Sequence, residues 1–298
     1  MNVGMIGLGR MGQGIAARLI KAGHSIVGFD PTPQAQEDAQ QIGVTIAATL
    51  EHLAQSVRIF WLMIPAGQLI DTTIAQLLPH LQPEDCIVDG GNSLFHDSIR
   101  RAAMLAEKNI HFLDCGTSGG LAGRDLGYSL MIGGNSDIFK KIEPIFKAIA
   151  THNGYGLVGG AGAGHYVKMV HNGIEYSLLQ AYAEGFHLLK SGHYQNLDLE
   201  QISNIWMNGS IIRSWILTLA HNVFEHDQNF ENISGHVGEN QTGRWTLDEA
   251  AKQNIPMTLL EDALKIRAWS RETGGNYATK VVAMLRNQFG GHTTKEKE

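Results

Sequence analysis

The sequence predicts an α/β fold followed by an all-α one: a doubly wound, mostly parallel sheet first, then helices alone. Three observations carry this. Short apolar runs alternate with helical patterns over residues 3–157, the pattern of strands joined by crossover helices. A glycine-rich turn, Gly7-Leu8-Gly9-Arg10-Met11-Gly12, follows the first apolar run directly. After Gly164 no strand candidate remains and helical periodicity dominates. The expected domains are therefore residues 1–163 and 164–298.

Composition narrows the function classes. The 298 residues are 43% hydrophobic and 17% charged, ordinary for a soluble globular chain with a sizeable core. A net charge of -6 offers no basic field for nucleic acid. Any anionic ligand must then be held by a few local cations. The two cysteines form no CxxC and no disulfide framework, which suits a reducing cytoplasm. No apolar run reaches membrane-spanning length and the first strand starts at once, so neither an anchor nor a leader is expected. No His/Cys/Asp/Glu cluster has metal-ligand spacing, and no metal is expected. Only residues 293–298 read as a disordered tail.

In the first half, residues 3–6 read as a strand, 11–22 as a helix and 25–29 as a second strand ending at Asp30. Strand, GxGxxG, helix, strand and acid make the dinucleotide fingerprint of a Rossmann domain. Gly7 permits the tight turn, Gly9 lets backbone approach a pyrophosphate, and Gly12 lets the helix lie close on the strand. Leu8, Arg10 and Met11 complete the cradle, with the helix N-terminus facing the phosphates. Asp30 is suited to the ribose hydroxyls of NAD. It would repel a 2′-phosphate, and residues 31–34 supply no arginine to neutralise it. NAD is the expected cofactor.

The alternation continues with strands at 44–47, 58–63, 86–89, 111–115, 129–132 and 154–157 and helices from beyond Gly67 to about residue 78, at 94–108 and at 136–149. Ligands of such sheets bind beyond the carboxyl ends of the strands. Residues 63–67, 90–93 and 116–120 lie at those ends. Met63, Ile64, Pro65 and Asn92 lie on this rim beside the expected cofactor, and Ser118, Gly119 and Gly120 lie on it as well; three such loops together point to a ligand site. In the second half, helices are expected at 162–191, 199–207, 210–224, 246–253, 256–273 and 277–286. The active site is expected between the two domains.

The long helix carries the most information. From Lys168, the residues His171, Asn172, Glu175 and Tyr176 fall at i+3, i+4, i+7 and i+8, one helix face. Val167, Val170, Ile174 and Leu178 form a separate apolar stripe suited to burial. A solvated helix face is usually Lys, Glu and Gln in loose order. Here five different functional groups occupy two turns, and Lys168 and Glu175 are too far apart for a helix-stabilising pair. The face reads as the lining of a pocket holding a candidate base and acid.

Together these residues resemble the decarboxylating 6-phosphogluconate dehydrogenases, a family of β-hydroxyacid dehydrogenases, over essentially the whole chain. The general part is the glycine-rich turn, Ser118-Gly119-Gly120 and the helix start before Lys168. The specific part is Asp89-Gly90-Gly91-Asn92-Ser93, the His171-Asn172 and Glu175-Tyr176 pairs, Thr242-Gly243-Arg244-Trp245-Thr246, and the closing Arg286-Asn287-Gln288-Phe289-Gly290-Gly291-His292. The resemblance implies oxidative decarboxylation of 6-phospho-D-gluconate to D-ribulose 5-phosphate and CO2 in the pentose phosphate pathway, with NAD reduced. It implies Lys168 as base and then acid at the C3 oxygen, and Glu175 as the acid at C1. Asn92, Ser118, Gly119, Gly120, His171 and Asn172 would contact the carboxylate and hydroxyls. Tyr176, Thr242, Arg267 and Arg286 would form the phosphate end, with His292 a further substrate contact. In the family the last two come from the neighbouring subunit, which implies a homodimer or tetramer with a shared active site.

Three departures stand out. Longer members carry a second copy of the helical domain, and this chain has one. Asn240 occupies a position where they carry a Lys. Asp30-Pro31-Thr32 replaces the Asn-Arg-Thr of members that use NADP, in keeping with NAD. Without the resemblance, Arg267 would read as an exposed helix cation. Two other readings stay open: a β-hydroxyacid dehydrogenase for an unphosphorylated acid such as 3-hydroxyisobutyrate, and an NAD-binding sensor or imine-reductase-like relative.

Overall fold

The chain forms two compact units, Met1–Met169 and Val170–Glu298. The structure, a computed structural model, describes residues 1–296. The division falls inside one long helix, a few residues beyond the glycine-rich segment where the sequence places it.

The first unit is built on β1 (Asn2–Ile6), α1 (Arg10–Lys21), β2 (Ser25–Phe29), α2 (Pro33–Gln41), β3 (Thr45–Ile46), α3 (Leu50–Ser56), β4 (Ile59–Leu62), α4 (Gln68–Leu77), β5 (Cys86–Asp89), α5 (Phe95–Ala106), β6 (His111–Ser118), α6 (Gly123–Leu126), β7 (Tyr128–Gly133), α7 (Ser136–Ile149) and β8 (Ala150–Gly159). Among the described residues the strands make one sheet in the order β3-β2-β1-β4-β5-β6-β7-β8. Pairing is parallel from β3 through β6, and β7 joins antiparallel to β6.

Successive strand residues face opposite sides, and both sides are apolar. Val3, Met5, Trp61 and Val88 join one core with Ile15 and Leu19 of α1 and Ile142 and Phe146 of α7. Ile6, Phe60, Leu62 and Ile87 join the other with Leu53 of α3, Ile70 and Ile74 of α4 and Leu105 of α5. That double cover is the doubly wound arrangement. A charge introduced at either Ile87 or Val88 would be buried in one core or the other.

Three local expectations change. α2 was not foreseen: only Ala39 of its nine residues is buried, so it carries no amphipathic signal. β3 shrinks to two residues. Gly116, Thr117 and Ser118 read as a loop but continue β6, because they pair with Met131, Leu130 and Ser129 of β7. Backbone pairing, to which side-chain patterning is blind, decides it.

The long helix α8 (Ala163–Ser191) runs on into the second unit, which continues with α9 (Leu199–Met207), α10 (Trp215–His226), α11 (Thr242–Lys252), α12 (Thr258–Thr273) and α13 (Tyr277–Gly290). α10 starts at Trp215, not at residue 210, because the Ser214 hydroxyl accepts from the Leu217 N–H at 3.1 Å and caps the helix there. α11 starts four residues earlier than expected, and α13 runs four residues further, to a left-handed Gly291. The unit's core includes Leu179, Phe186, Leu217, Phe224, Phe230, Val281 and Leu285. Phe186 meets Phe224 edge-on at 4.7 Å.

Two expectations fail here. Val167, Ile174 and Leu178 of the apolar stripe are exposed, not buried, Ile174 to 60%. The tail is paired through Glu296: the Ser234 N–H donates to Lys295 O at 2.9 Å, and Ile233 bridges to Glu296. Lys297 and Glu298, also expected to be disordered, lie outside the described residues. Among the described residues no helix is long and apolar enough to cross a membrane.

Candidate active site

The strand order reverses between β1 and β4, the point where doubly wound sheets open a crevice. The residues expected to hold a dinucleotide meet there. Gly7 has φ +95°, and a Cβ on it would lie 2.4 Å from Met63 O. A Cβ on Gly12 would lie 2.0 Å from Gly7 O. A Cβ on Gly9 would meet nothing within 4 Å. Two of the glycines are thus demanded by packing, and the middle one faces open space, as a cradle for a ligand requires. Arg10 is exposed on the first turn of α1, while Leu8 is buried and Met11 packs against the core. α1 has no side-chain cap and no acid in its first turn, so the helix supplies no anion of its own to its N-terminal N–H groups.

Asp30 closes this crevice. Its carboxylate accepts from the Leu8 N–H and from the Thr32 N–H, each at 2.8 Å. Both oxygens keep a second acceptor site for a ribose hydroxyl. Met63, whose N–H donates to Ile6 O at 2.7 Å, continues the adjacent strand into half-buried Ile64 and exposed Pro65. These residues fit NAD.

Asn92 is exposed on the loop after β5. Buried Asp89 shapes that loop, accepting from the Ser93 hydroxyl at 2.7 Å and the Gly91 N–H at 3.1 Å. Ser118 ends β6, followed by Gly119 and Gly120, both at positive φ. From the same strand, fully buried Asp114 accepts from the N–H groups of Gly162 (2.6 Å) and His165 (2.8 Å). It thereby caps α8 in trans. The helix start lies so close to the sheet that a Cβ on Gly116 would be 2.3 Å from Lys168 Cβ. Lys168 is only 6% exposed.

Along α8, Lys168 and Glu175 share a face about 10 Å apart at the helical rise. In the second unit, His171 Nδ1 lies 3.1 Å from Asn172 Oδ1 and 3.9 Å from Glu175 Oε2. Asn172 Nδ2 donates to the Thr242 hydroxyl at 3.4 Å. The Tyr176 hydroxyl donates to Asn240 Oδ1 at 2.7 Å, and the Thr242 N–H donates to the same oxygen at 3.1 Å. The Arg267 guanidinium stacks over the Tyr176 ring at 3.6 Å. Arg267 is 2% exposed, not a solvated cation, and both of its terminal nitrogens are buried without a hydrogen-bond partner. Burial pulls its pKa down to about 10; Tyr176, Glu175 and Glu239 oppose this, and the like charge of Arg286 adds to it. Burial lowers Arg286 as well.

His171, Asn172, Glu175, Tyr176, Thr242, Arg267 and Arg286 of a single chain therefore form one polar and cationic group. His292 is exposed at the end of α13, its carbonyl accepting from Asn287 Nδ2 at 3.0 Å and its ring edge-on to Phe289.

Residues 2–160 match the family described as the NAD binding domain of 6-phosphogluconate dehydrogenase, and residues 164–298 match its C-terminal domain. The chain belongs to the 6-phosphogluconate dehydrogenase family. It is 43% identical over 304 residues to the NAD(+)-dependent, decarboxylating 6-phosphogluconate dehydrogenase of Haloferax volcanii, covering all of both chains. The fold is similar to that of Plasmodium falciparum 6-phosphogluconate dehydrogenase, with TM-score 0.83 and 30% identity over 91% of this chain and 62% of that one. A Mycobacterium tuberculosis 3-hydroxyisobutyrate dehydrogenase shares the fold at TM-score 0.73 and 21% identity, over 96% of this chain and 99% of that one.

Sequence reading missed three buried or bonded polar residues that the fold places beside the candidate ones. Asp114 is a charge inside an apolar strand, and that is a usable signal. Arg101, which no solvent reaches, lies on the buried stripe of α5 with Ser98 and Leu105. Asn240, noted only as a departure, is the acceptor that joins Tyr176 to Thr242.

Proposed function

We propose that this chain oxidatively decarboxylates 6-phospho-D-gluconate to D-ribulose 5-phosphate and CO2 with reduction of NAD. The observation that carries the substrate class is Arg267: a buried guanidinium whose terminal nitrogens have no hydrogen-bond partner in the protein. A phosphate supplies oxygens that match that fork. Arg286, Tyr176 and Thr242 border the same place.

Bound NAD supplies the acceptor for the hydride that leaves C3. Lys168, shielded from bulk water, takes the proton of the C3 hydroxyl. As an ammonium it then donates to the 3-keto oxygen and stabilises the charge that develops there as CO2 departs. Glu175, protonated, delivers a proton to C1 of the enediol while Lys168 takes back the proton of the neighbouring enediol oxygen, and His171 lies beside the Glu175 carboxyl. Asn92, Ser118, Gly119, Gly120, His171 and Asn172 orient the carboxylate and hydroxyls. Gly7, Leu8, Gly9, Arg10, Met11 and Gly12 hold the pyrophosphate; Asp30 takes the ribose, and Met63, Ile64 and Pro65 flank the ring end.

Arg286 acts within its own chain in this reading, which its grouping with Tyr176 and Arg267 supports. His292 takes the substrate of a neighbouring subunit. The exposed apolar residues of α8 support a homodimer, and sedimentation of the purified chain tests it.

The functional test is initial-rate turnover of 6-phosphogluconate, gluconate and 3-hydroxyisobutyrate with NAD and NADP. Preference for the phosphorylated acid with NAD is expected. Comparable rates on 3-hydroxyisobutyrate would sink the phosphate assignment.

A further inference from the structure

We infer that Arg101 is the positioning residue that holds the two ligand-facing loops, residues 63–67 and 90–93, in register with each other. The inference rests on the dehydrogenase reading for its kinetic consequence, but not for the tie itself. Arg101 comes from α5 and no part of it is exposed. Its Nε donates to Asp71 Oδ1 at 2.9 Å, and Nη2 donates to Asp71 Oδ2 at 3.2 Å and to Gly67 O at 3.0 Å. Nη1 faces Asp89 Oδ2 at 3.5 Å, outside hydrogen-bond geometry. One fork thus reaches the end of the loop after β4, the first turn of α4, and the carboxylate that shapes the loop after β5.

Asp89 is as fully buried as Arg101, and the Ser93 hydroxyl and Gly91 N–H depend on it. The two loops also touch directly: a Cβ on Gly91 would lie 3.1 Å from Ile64 O. Any shift of one loop is therefore felt by the other. The first carries the residues assigned to the cofactor ring, and the second carries Asn92. Hydride transfer depends on how those two are aligned, and a displacement of about 1 Å at a reacting centre costs about 100-fold in rate. A lysine cannot replace the fork, because a single ammonium lacks its fixed set of directed donors.

The test uses Arg101→Met, Arg101→Lys and Asp71→Asn in the full chain. Wild-type turnover of 6-phosphogluconate is measured first; its absence would sink the dehydrogenase reading while leaving the tie testable by amide exchange. In folded Arg101→Met, amide exchange should accelerate in residues 63–67 and 90–93 but not in 7–12. The kcat should fall about 100-fold with NAD affinity changed far less, and Arg101→Lys should restore little of it. Adding Asn92→Ala to Arg101→Met should cost less than it costs alone, since the loop is already displaced. If Arg101→Met does not fold, Asp71→Asn keeps the guanidinium and should still loosen residues 63–67. Unchanged exchange and kcat in whichever variant folds, or losses that simply add with Asn92→Ala, would overturn the inference.

Discussion

Arg267→Met separates binding from folding more sharply than any other change. A guanidinium pulled by burial down to about 10 carries on the order of 3 kcal/mol of unfavourable surroundings. Stacking on Tyr176 returns about 1–2 kcal/mol of it. Free of ligand, Arg267 is therefore a small net burden on the fold, and a linear apolar side chain should leave the melting temperature within a few degrees of wild type or raise it. The sign can be checked against pH. The folded form loses this proton at lower pH than the unfolded form, so the penalty holds below about 10 and fades as pH rises above it. In the proposed reading the same charge binds the substrate phosphate. Losing its charge-assisted hydrogen bonds removes about 3 kcal/mol, about 100-fold in kcat/KM for 6-phosphogluconate. The rate on gluconate should scarcely move, so discrimination between the two acids should collapse. Steady-state kinetics on both substrates, beside thermal melts, reads this directly. A variant that melts far below wild type yet keeps its preference for the phosphorylated acid would refute the reasoning and make Arg267 a packing residue.

Three further outcomes are expected. Lys168→Ala should remove turnover, by at least about 100-fold, while NAD affinity by titration stays near wild type; wild-type rates would take Lys168 out of the chemistry. Asp30→Ala should weaken NAD and relax discrimination against NADP, and an unchanged cofactor ratio would show that Asp30 does not read the ribose. Burial pushes the Cys86 thiol up to about 12 and the Cys115 thiol also upward, so neither is a thiolate near neutral pH. A thiol reagent should label neither cysteine in the native chain and both after unfolding, whereas rapid native labelling would contradict their burial.

The strands of the first unit were legible because each apolar run faces two covered sides, which leaves few polar interruptions to misread. The short helix α2 was not, since a helix with one buried residue has no stripe to detect. The extension of β6 escaped because Gly116 to Ser118 are held by backbone pairing alone. In the site, the face from Lys168 to Tyr176 stood out as polar groups at core spacing. Arg267 hid in the same way but could have been found: Leu260, Ala263 and Leu264 precede it on the buried stripe of α12. Arg101 on α5 is a second cation on a core stripe. An arginine at such a position must be matched by acids, as Asp71 and Asp89 do for Arg101, or else wait for an anion. Which of the two applies depends on contacts distant in sequence, and only the folded chain supplies those. The stripe of Val167, Ile174 and Leu178 is the opposite case: periodicity marks it for burial, but all three side chains are exposed.

The central claim, that oxidation at C3 is coupled to loss of C1, is tested most directly by measuring CO2 from 6-phosphogluconate labelled at C1 against the NADH formed in the same sample. The account predicts one CO2 for each NADH and ribulose 5-phosphate as the remaining product. NADH without matching CO2, or with a 3-keto acid accumulating, would contradict it.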